Sequence, residues 1–176
     1  MIIALVGPHA VGKSTAARSW SKRYPHINFV DADQSTWYKG NGHKERVVGW
    51  QKKAEQKIAL ATICADSSEI WLIEGNSSRV SSWLKIVPCE AIIHTYCSPD
   101  ILYNNIKERC ESNNRNFNAD YWNDRTKLLY ESRGRIQNLH KKLPKVPMYE
   151  FEIINRATDW KFVGHQFIKL IHGVKN

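Results

Sequence analysis

Several features that would take a chain away from an ordinary globular fold are missing. The four cysteines, Cys64, Cys89, Cys97 and Cys110, include no C-x-x-C pair. Neither a zinc site nor a disulfide framework is expected, and reduced packing thiols in a cytoplasmic setting follow as the reading. No apolar run approaches the ~18 residues that a membrane span requires. The opening Met1-Ile-Ile-Ala-Leu-Val6 has neither the basic flank nor the cleavage site of a signal peptide. Repeats, low-complexity tracts and linkers are also missing, so the 176 residues predict a single domain over 1–176. Acids are in short supply, 17 against 26 Lys and Arg, for a net charge of +9. Such an excess favours a polyanionic partner.

What is present is an alternation of short apolar runs and amphipathic stretches. Ile2–Val6, Ile27–Val30, Ile70–Ile73, Ala91–Cys97 and Met148–Ile154 read as strands, several apolar at every position as in a buried parallel sheet. Helices are expected from Gly12 to about Arg23, over about 47–65, from Pro99 to about Glu111, from Asp120 to Lys142 and from Thr158 onward. Ser98-Pro99-Asp100 supplies a cap, a first-turn proline and an acid near the positive helix end. The last helix carries the stripe Trp160, Val163, Phe167 and Leu170. Strands alternating with helices predict a mainly parallel α/β sheet covered on both faces, with ligands at the carboxyl ends of the strands.

The sharpest motif is Gly7-Pro8-His9-Ala10-Val11-Gly12-Lys13-Ser14-Thr15, which fits G-x-x-x-x-G-K-[ST] and stands between a strand and a helix. Glycines let successive N–H groups curl around a phosphate, and the helix start adds its partial positive charge. Lys13 is expected to reach the β- and γ-phosphates of ATP and the Ser14 hydroxyl to ligate Mg2+. The His9 side chain is given no chemistry of its own. Two of the strands end in acids, as Asp31-Ala32-Asp33 and as Glu74-Gly75. Transfer to a hydroxyl needs a group to orient that hydroxyl and take its proton, and the metal needs oxygen partners. Asp33 is placed nearer the acceptor, with Asp31 and Glu74 nearer the metal.

Basic residues cluster in two regions. Between 106 and 136 lie Lys107, Arg109, Arg115, Arg125, Lys127, Arg133 and Arg135. A lid over about 107–125 would use Arg109 and Arg115 to neutralise the transferring phosphoryl group and exclude water. The other region, within the 34–66 stretch read as a helical acceptor-binding segment, has Lys39, Lys44, Arg46, Lys52, Lys53 and Lys57 against Glu45 and Glu55. Trp37 interleaves with them as a stacking candidate. Trp37, Lys53, Arg79 and Arg133 complete the acceptor-side candidates with Asp33.

These motifs together resemble the small phosphate-loop kinases related to nucleoside, nucleotide, shikimate and polynucleotide kinases. Phe29-Val30-Asp31-Ala32-Asp33-Gln34 is similar to the D-x-D segment of shikimate-type kinases, and Ile73-Glu74-Gly75 to the third-strand ending of nucleoside-kinase-like members. The resemblance implies a three-layer α/β/α fold with a five-stranded parallel sheet in the order 2-3-1-4-5 and a small helical lid. It also implies an adenine-contacting loop near Asn155-Arg156-Ala157. The Gly-Gly-Gly segment of shikimate kinases is replaced by Glu74-Gly75-Asn76-Ser77, which argues against shikimate as acceptor. The expected activity is ATP- and Mg2+-dependent transfer to a hydroxyl on a nucleic acid. Phage kinases of 5-hydroxymethyluracil in DNA are the subfamily it looks most like. A kinase of a free nucleoside, nucleotide or other metabolite is the alternative; a nucleic-acid-binding ATPase or nucleotide switch is the second.

Overall fold

The computed structural model describes residues 1–32, 36–38, 44–46, 69–84, 88–131, 133–143 and 145–173, with backbone alone at 36–38 and 44–46. The strands are β1 (Ile2–Val6), β2 (Ile27–Asp31), β3 (Thr36–Tyr38), β4 (Lys44–Arg46), β5 (Ile70–Gly75), β6 (Ala91–Tyr96) and β7 (Met148–Glu152). They form one sheet in the order β4-β3-β2-β5-β1-β6-β7. Strands β2, β5, β1, β6 and β7 run parallel. Counted by themselves they have the expected order 2-3-1-4-5.

At one edge the sheet is larger than the five strands read from the sequence. β3 pairs antiparallel with β2, and β4 with β3. They occupy the first part of the 34–66 stretch that was read as helical, and that reading is corrected there. Thr36-Trp37-Tyr38 is β-branched and aromatic, a composition suited to a pleated surface, and it covers what would be the open edge of β2. The helix expected over 47–65 lies outside the described residues.

The helices are α1 (Lys13–Arg23), α2 (Ser77–Trp83), α3 (Pro99–Ser112), α4 (Ala119–Glu131), α5 (Arg133–Lys141) and α6 (Arg156–Ile171). The long helix expected over 120–142 is helical on both sides of residue 132. Helix α2 had no counterpart in the sequence reading, because Ser-Ser-Arg-Val-Ser-Ser-Trp has poor intrinsic helix propensity. Two features fix it. The Asn76 side chain accepts from the Arg79 N–H at 3.1 Å, and Val80 and Trp83 are buried against the sheet.

Apolar side chains sort onto the two faces of the sheet by the period of two. On one face Ala4, Val6, Val30, Ile73 and Ile92 pack with Val80 and Trp83 of α2 and Ile136 of α5. On the other, Ile3, Leu5, Phe29, Leu72 and Ile93 pack with Ala17 of α1, Leu102 and Ile106 of α3, and Val163 and Phe167 of α6. The result is the three-layer α/β/α architecture. Phe167 stacks on Trp20 with centroids 5.0 Å apart, locking α6 to α1. Cys89 and Cys97 are buried, and burial pushes both thiols up to about 11, so they remain protonated packing groups. Among the described residues no helix is long and apolar enough to cross a membrane. Replacing Phe167, which is fully buried, with Ala is expected to cost about 3–5 kcal/mol in urea unfolding.

Candidate phosphate-binding site

The loop between β1 and α1 has a backbone that few sequences could adopt. A Cβ on Gly7 would lie 2.7 Å from the Thr95 carbonyl oxygen and would overlap the Thr95 hydroxyl, so only glycine fits beneath β6. Thr95 Oγ1 donates to the Val6 carbonyl at 3.0 Å, and the Gly7 N–H donates to the Gly75 carbonyl at 3.2 Å. Ala10 and Gly12 both take positive φ, 60° and 111°. Gly12 is the residue at which α1 starts: its carbonyl accepts from the Thr15 and Ala16 N–H groups at 3.1 and 3.0 Å. No side chain caps this helix start, which leaves the first turn facing the loop as an anion site.

Helix α6 holds the other flank of the loop. Trp160 Nε1 donates to the Val11 carbonyl at 2.9 Å, and the Arg156 guanidinium donates to the Ala10 carbonyl at 3.3 Å. The Trp160 ring edge lies so close that a Cβ on Gly12 would meet its Nε1 at 2.7 Å. The sequence pattern gave Trp160 only a core role. Its stripe position is consistent with that, but the indole N–H has a second task which periodicity does not reveal.

The loop opens on a cleft of about 560 Å3. His9, Ala10, Gly12, Lys13, Ser14 and Thr15 form one wall; Asn105, Glu108, Arg109 and Ser112 of α3, with Asn113 just past it, form another; Asp31, Arg18 and Arg156 complete the lining. Lys13 is 5% exposed and its Nζ donates to the Pro8 carbonyl at 2.7 Å, folding back across the loop. Arg18 Nε donates to the Ser14 carbonyl at 3.0 Å. Asp31 and Glu74 are buried at adjacent strand ends, in register, on the face that packs against α1. Asp31 reaches the cleft lining; Glu74 sits beside it within the sheet.

The remaining sequence candidates are distributed unevenly. Arg109 lines the cleft, whereas Arg115 is exposed in the loop past α3, where its N–H donates to the Cys110 carbonyl. The Asn155 side chain is engaged as the cap of α6, accepting from the Ala157 and Thr158 N–H groups at 3.0 and 3.2 Å, and its neighbour Arg156 is the one that faces the cleft. Arg79 is exposed on α2, in the opposite helical layer. Asp33 and Lys53 lie outside the described residues, and Trp37 is placed only as part of the β3 backbone.

Arg133 sits on the far side of the loop. It lines a small pocket with Gly7, Pro8, Ser77, His94, Tyr96 and Tyr130. Its guanidinium lies 4.2 Å from the Tyr130 ring centroid and 5.5 Å from that of Tyr96, and it donates to the Tyr130 hydroxyl at 2.7 Å. His94 Nδ1 is 2.9 Å from Glu150 Oε1, which also accepts from Gln137. Burial outweighs the pull of this carboxylate and lowers the His94 pKa, so the ring is neutral near pH 7 and donates from Nδ1.

A larger groove of about 720 Å3 leaves the same loop between α1 and α6. Its floor is apolar, with Trp20, Tyr24, Trp160 and Ile168, and its rim carries Arg23, Arg156 and Lys161. It meets the cleft at Gly12, Thr15 and Arg156.

No protein-family model matches this chain, and no curated protein does. Solved structures do. An uncharacterized protein from Eubacterium ventriosum aligns over 96% of this chain and 98% of its own, with 13% identity and a TM-score of 0.58. Shikimate kinase from Acinetobacter baumannii, in complex with shikimate, aligns over 99% and 94% with 14% identity and a TM-score of 0.55. Shikimate kinase from Bacteroides thetaiotaomicron aligns over 98% of each chain with 13% identity and a TM-score of 0.50. At such identities the likeness is one of fold alone: a five-stranded parallel sheet in the order 2-3-1-4-5 between helical layers.

Two outcomes follow from these contacts. Trp160→Phe keeps the ring and removes the donor to Val11; it is expected to weaken nucleotide binding several-fold by calorimetry while the fold persists. Because the native His94 pKa lies below its ordinary value of 6.5, the unfolded chain binds its proton first as pH falls. Stability is then full above about pH 6.5 and declines below it. Urea midpoints are expected to drop between pH 7.5 and 5.5, and to drop less in His94→Gln.

Proposed function

We propose that this chain is an ATP-dependent kinase that transfers the γ-phosphoryl group to a hydroxyl of a small-molecule acceptor. The observation that carries the reading is the phosphate loop, held between β1 and α1 and opening on a cleft that joins Lys13, Arg109 and Arg156 to the buried Asp31. The loop N–H groups and Lys13 bind the β- and γ-phosphates, and Arg109 stabilises charge on the transferring group. The nucleoside leaves the loop past Thr15 toward Ala157 and the apolar groove.

The donor set suits Mg2+. Ser14 and Asp31 share the cleft, Glu74 stands beside Asp31, and among the described residues no cluster of three or more His, Cys, Asp or Glu forms a self-sufficient metal cage. That is the pattern of an ion held by one or two protein oxygens together with phosphate and water. The ion would neutralise phosphate charge. Asp33, two residues past Asp31, takes the proton of the acceptor hydroxyl as its oxygen bonds to the γ-phosphorus and the bond to the bridging oxygen of ADP breaks. Arg115 within the 107–125 lid restricts water, and Arg133, clasped by Tyr96 and Tyr130 on the far side of the loop, reaches no more than the rim of the acceptor.

A hydroxyl on a nucleic acid, such as 5-hydroxymethyluracil in DNA, is the second reading. The net charge of +9 is the observation that favours it. The fold likeness to shikimate kinases supports a small acceptor instead.

The experiment is incubation of the purified chain with γ-labelled MgATP and a panel of free nucleosides, nucleotides and hydroxy acids, beside DNA containing 5-hydroxymethyluracil. Label is expected in a small acceptor. Label confined to the DNA overturns that assignment, and failure to bind ATP at all overturns the kinase. Lys13→Ala is expected to lower turnover about 100-fold or more.

A further inference from the structure

We infer that Asn105 binds the nucleotide, its carboxamide donating a hydrogen bond to a phosphate oxygen; the inference rests on the nucleotide-binding reading above. Helix α3 packs into the core through Leu102 and Ile106. The row Asn105, Glu108, Arg109 and Ser112, at the spacing of one helix face, looks into the cleft opposite the phosphate loop. Three members of that row are exposed, as polar side chains on a helix surface should be. Asn105 is only 8% exposed, and its Nδ2 is buried with no hydrogen-bond partner among the described residues.

A position like this works against the folded state on its own. Asn is a poor residue for a helix interior, and a buried amide without a partner loses its water for nothing in return. Leu would fit the same volume beside Leu102 and Ile106. Nearly all buried polar groups in proteins find partners, so a lone one that borders a cleft points to a ligand that supplies the missing acceptor.

The chemistry of that ligand follows from the surroundings. Helix α3 begins at Pro99, just after the carboxyl end of β6, and Asn105 stands one turn before Arg109 and two before Ser112 along it. The cleft across from it is the loop itself, with His9, Ala10, Lys13 and Ser14. A group seated there is the phosphate chain, which offers acceptors only and so complements an amide N–H once the Asn105 carboxamide turns its buried Nδ2 toward the cleft. The base belongs farther along, toward Ala157 and the groove. Unlike the arginines at the cleft mouth, Asn105 adds a fixed donor without adding charge, which makes it a gauge of position more than of electrostatics.

Calorimetric titration with MgATP and with MgADP, beside nucleotide-free thermal melts, tests this on the wild-type chain, Asn105→Leu and Asn105→Ala. Asn105→Leu is expected to melt no lower than wild type, because the unpartnered amide is gone, and to bind ATP at least tenfold more weakly. Asn105→Ala, too small to clash, is expected to lose affinity in the same direction if the leucine variant fails to fold. Affinity equal to wild type in either folded variant overturns the role of Asn105 and leaves the phosphate-loop reading standing. A lower melting temperature in both with unchanged affinity makes Asn105 structural and overturns the inference as well. Absence of ATP binding by the wild-type chain overturns both readings together.

Discussion

The backbone of residues 7–12 has to be held open against its own preferences, and the rest of the site depends on that. Ala10 is a residue with a Cβ in the left-handed region, which costs about 1–2 kcal/mol. Such a conformation persists only where its surroundings determine it. Here they do so from two directions. Strand β6 presses from below, through Thr95 on the Val6 carbonyl and against Gly7, and α6 grips from the side, through Trp160 on Val11 and Arg156 on Ala10. The Trp20–Phe167 stack that fixes α6 to α1 is therefore part of the same device, because it sets where the Trp160 indole lies.

This explains which parts were legible in advance. The phosphate loop and the parallel core depend on local signals: apolar runs, glycine spacing and a lysine next to a hydroxyl; the strand order was implied only by the resemblance those motifs carry. Ser98 as a cap and Pro99 at the first turn were equally plain. The parts that escaped depend on distant partners. Trp160 and Thr95 act on the loop across 149 and 89 residues, and nothing in their own neighbourhoods marks them. Helix α2 forms from a serine-rich segment because two buried side chains outweigh its propensity. The β3–β4 pair escaped because strands of three residues are too short to show an alternating pattern.

Charge is arranged by face as well. Helix α3 contributes an acid and a base to the cleft, and Glu108 stands 4.0 Å from Arg156 at an exposed position. A pair like that contributes little to stability. Its consequence is positional: Arg156 is drawn between the Ala10 carbonyl and Glu108, so one guanidinium links the loop, α6 and the wall that carries Asn105 and Arg109. The cations of the cleft are thus held at its walls by backbone carbonyls, Lys13 by that of Pro8, Arg18 by that of Ser14 and Arg156 by that of Ala10.

The two sides of the loop differ in the room they offer, and that bears on where an acceptor can lie. The pocket beside Arg133 has space for about 10 Å3, roughly that of a single water, because Tyr96 and Tyr130 clasp the guanidinium and His94 is tied to Glu150. The cleft beside Asp31 has about 560 Å3. Under the reading proposed above, an acceptor as large as a metabolite finds room only on the Asp31 side of the loop, next to the phosphate chain. Arg133 can touch no more than its rim unless the two tyrosines separate. Glu74 takes no part in the cleft lining: it is buried beside Asp31 at the end of β5, inside the sheet.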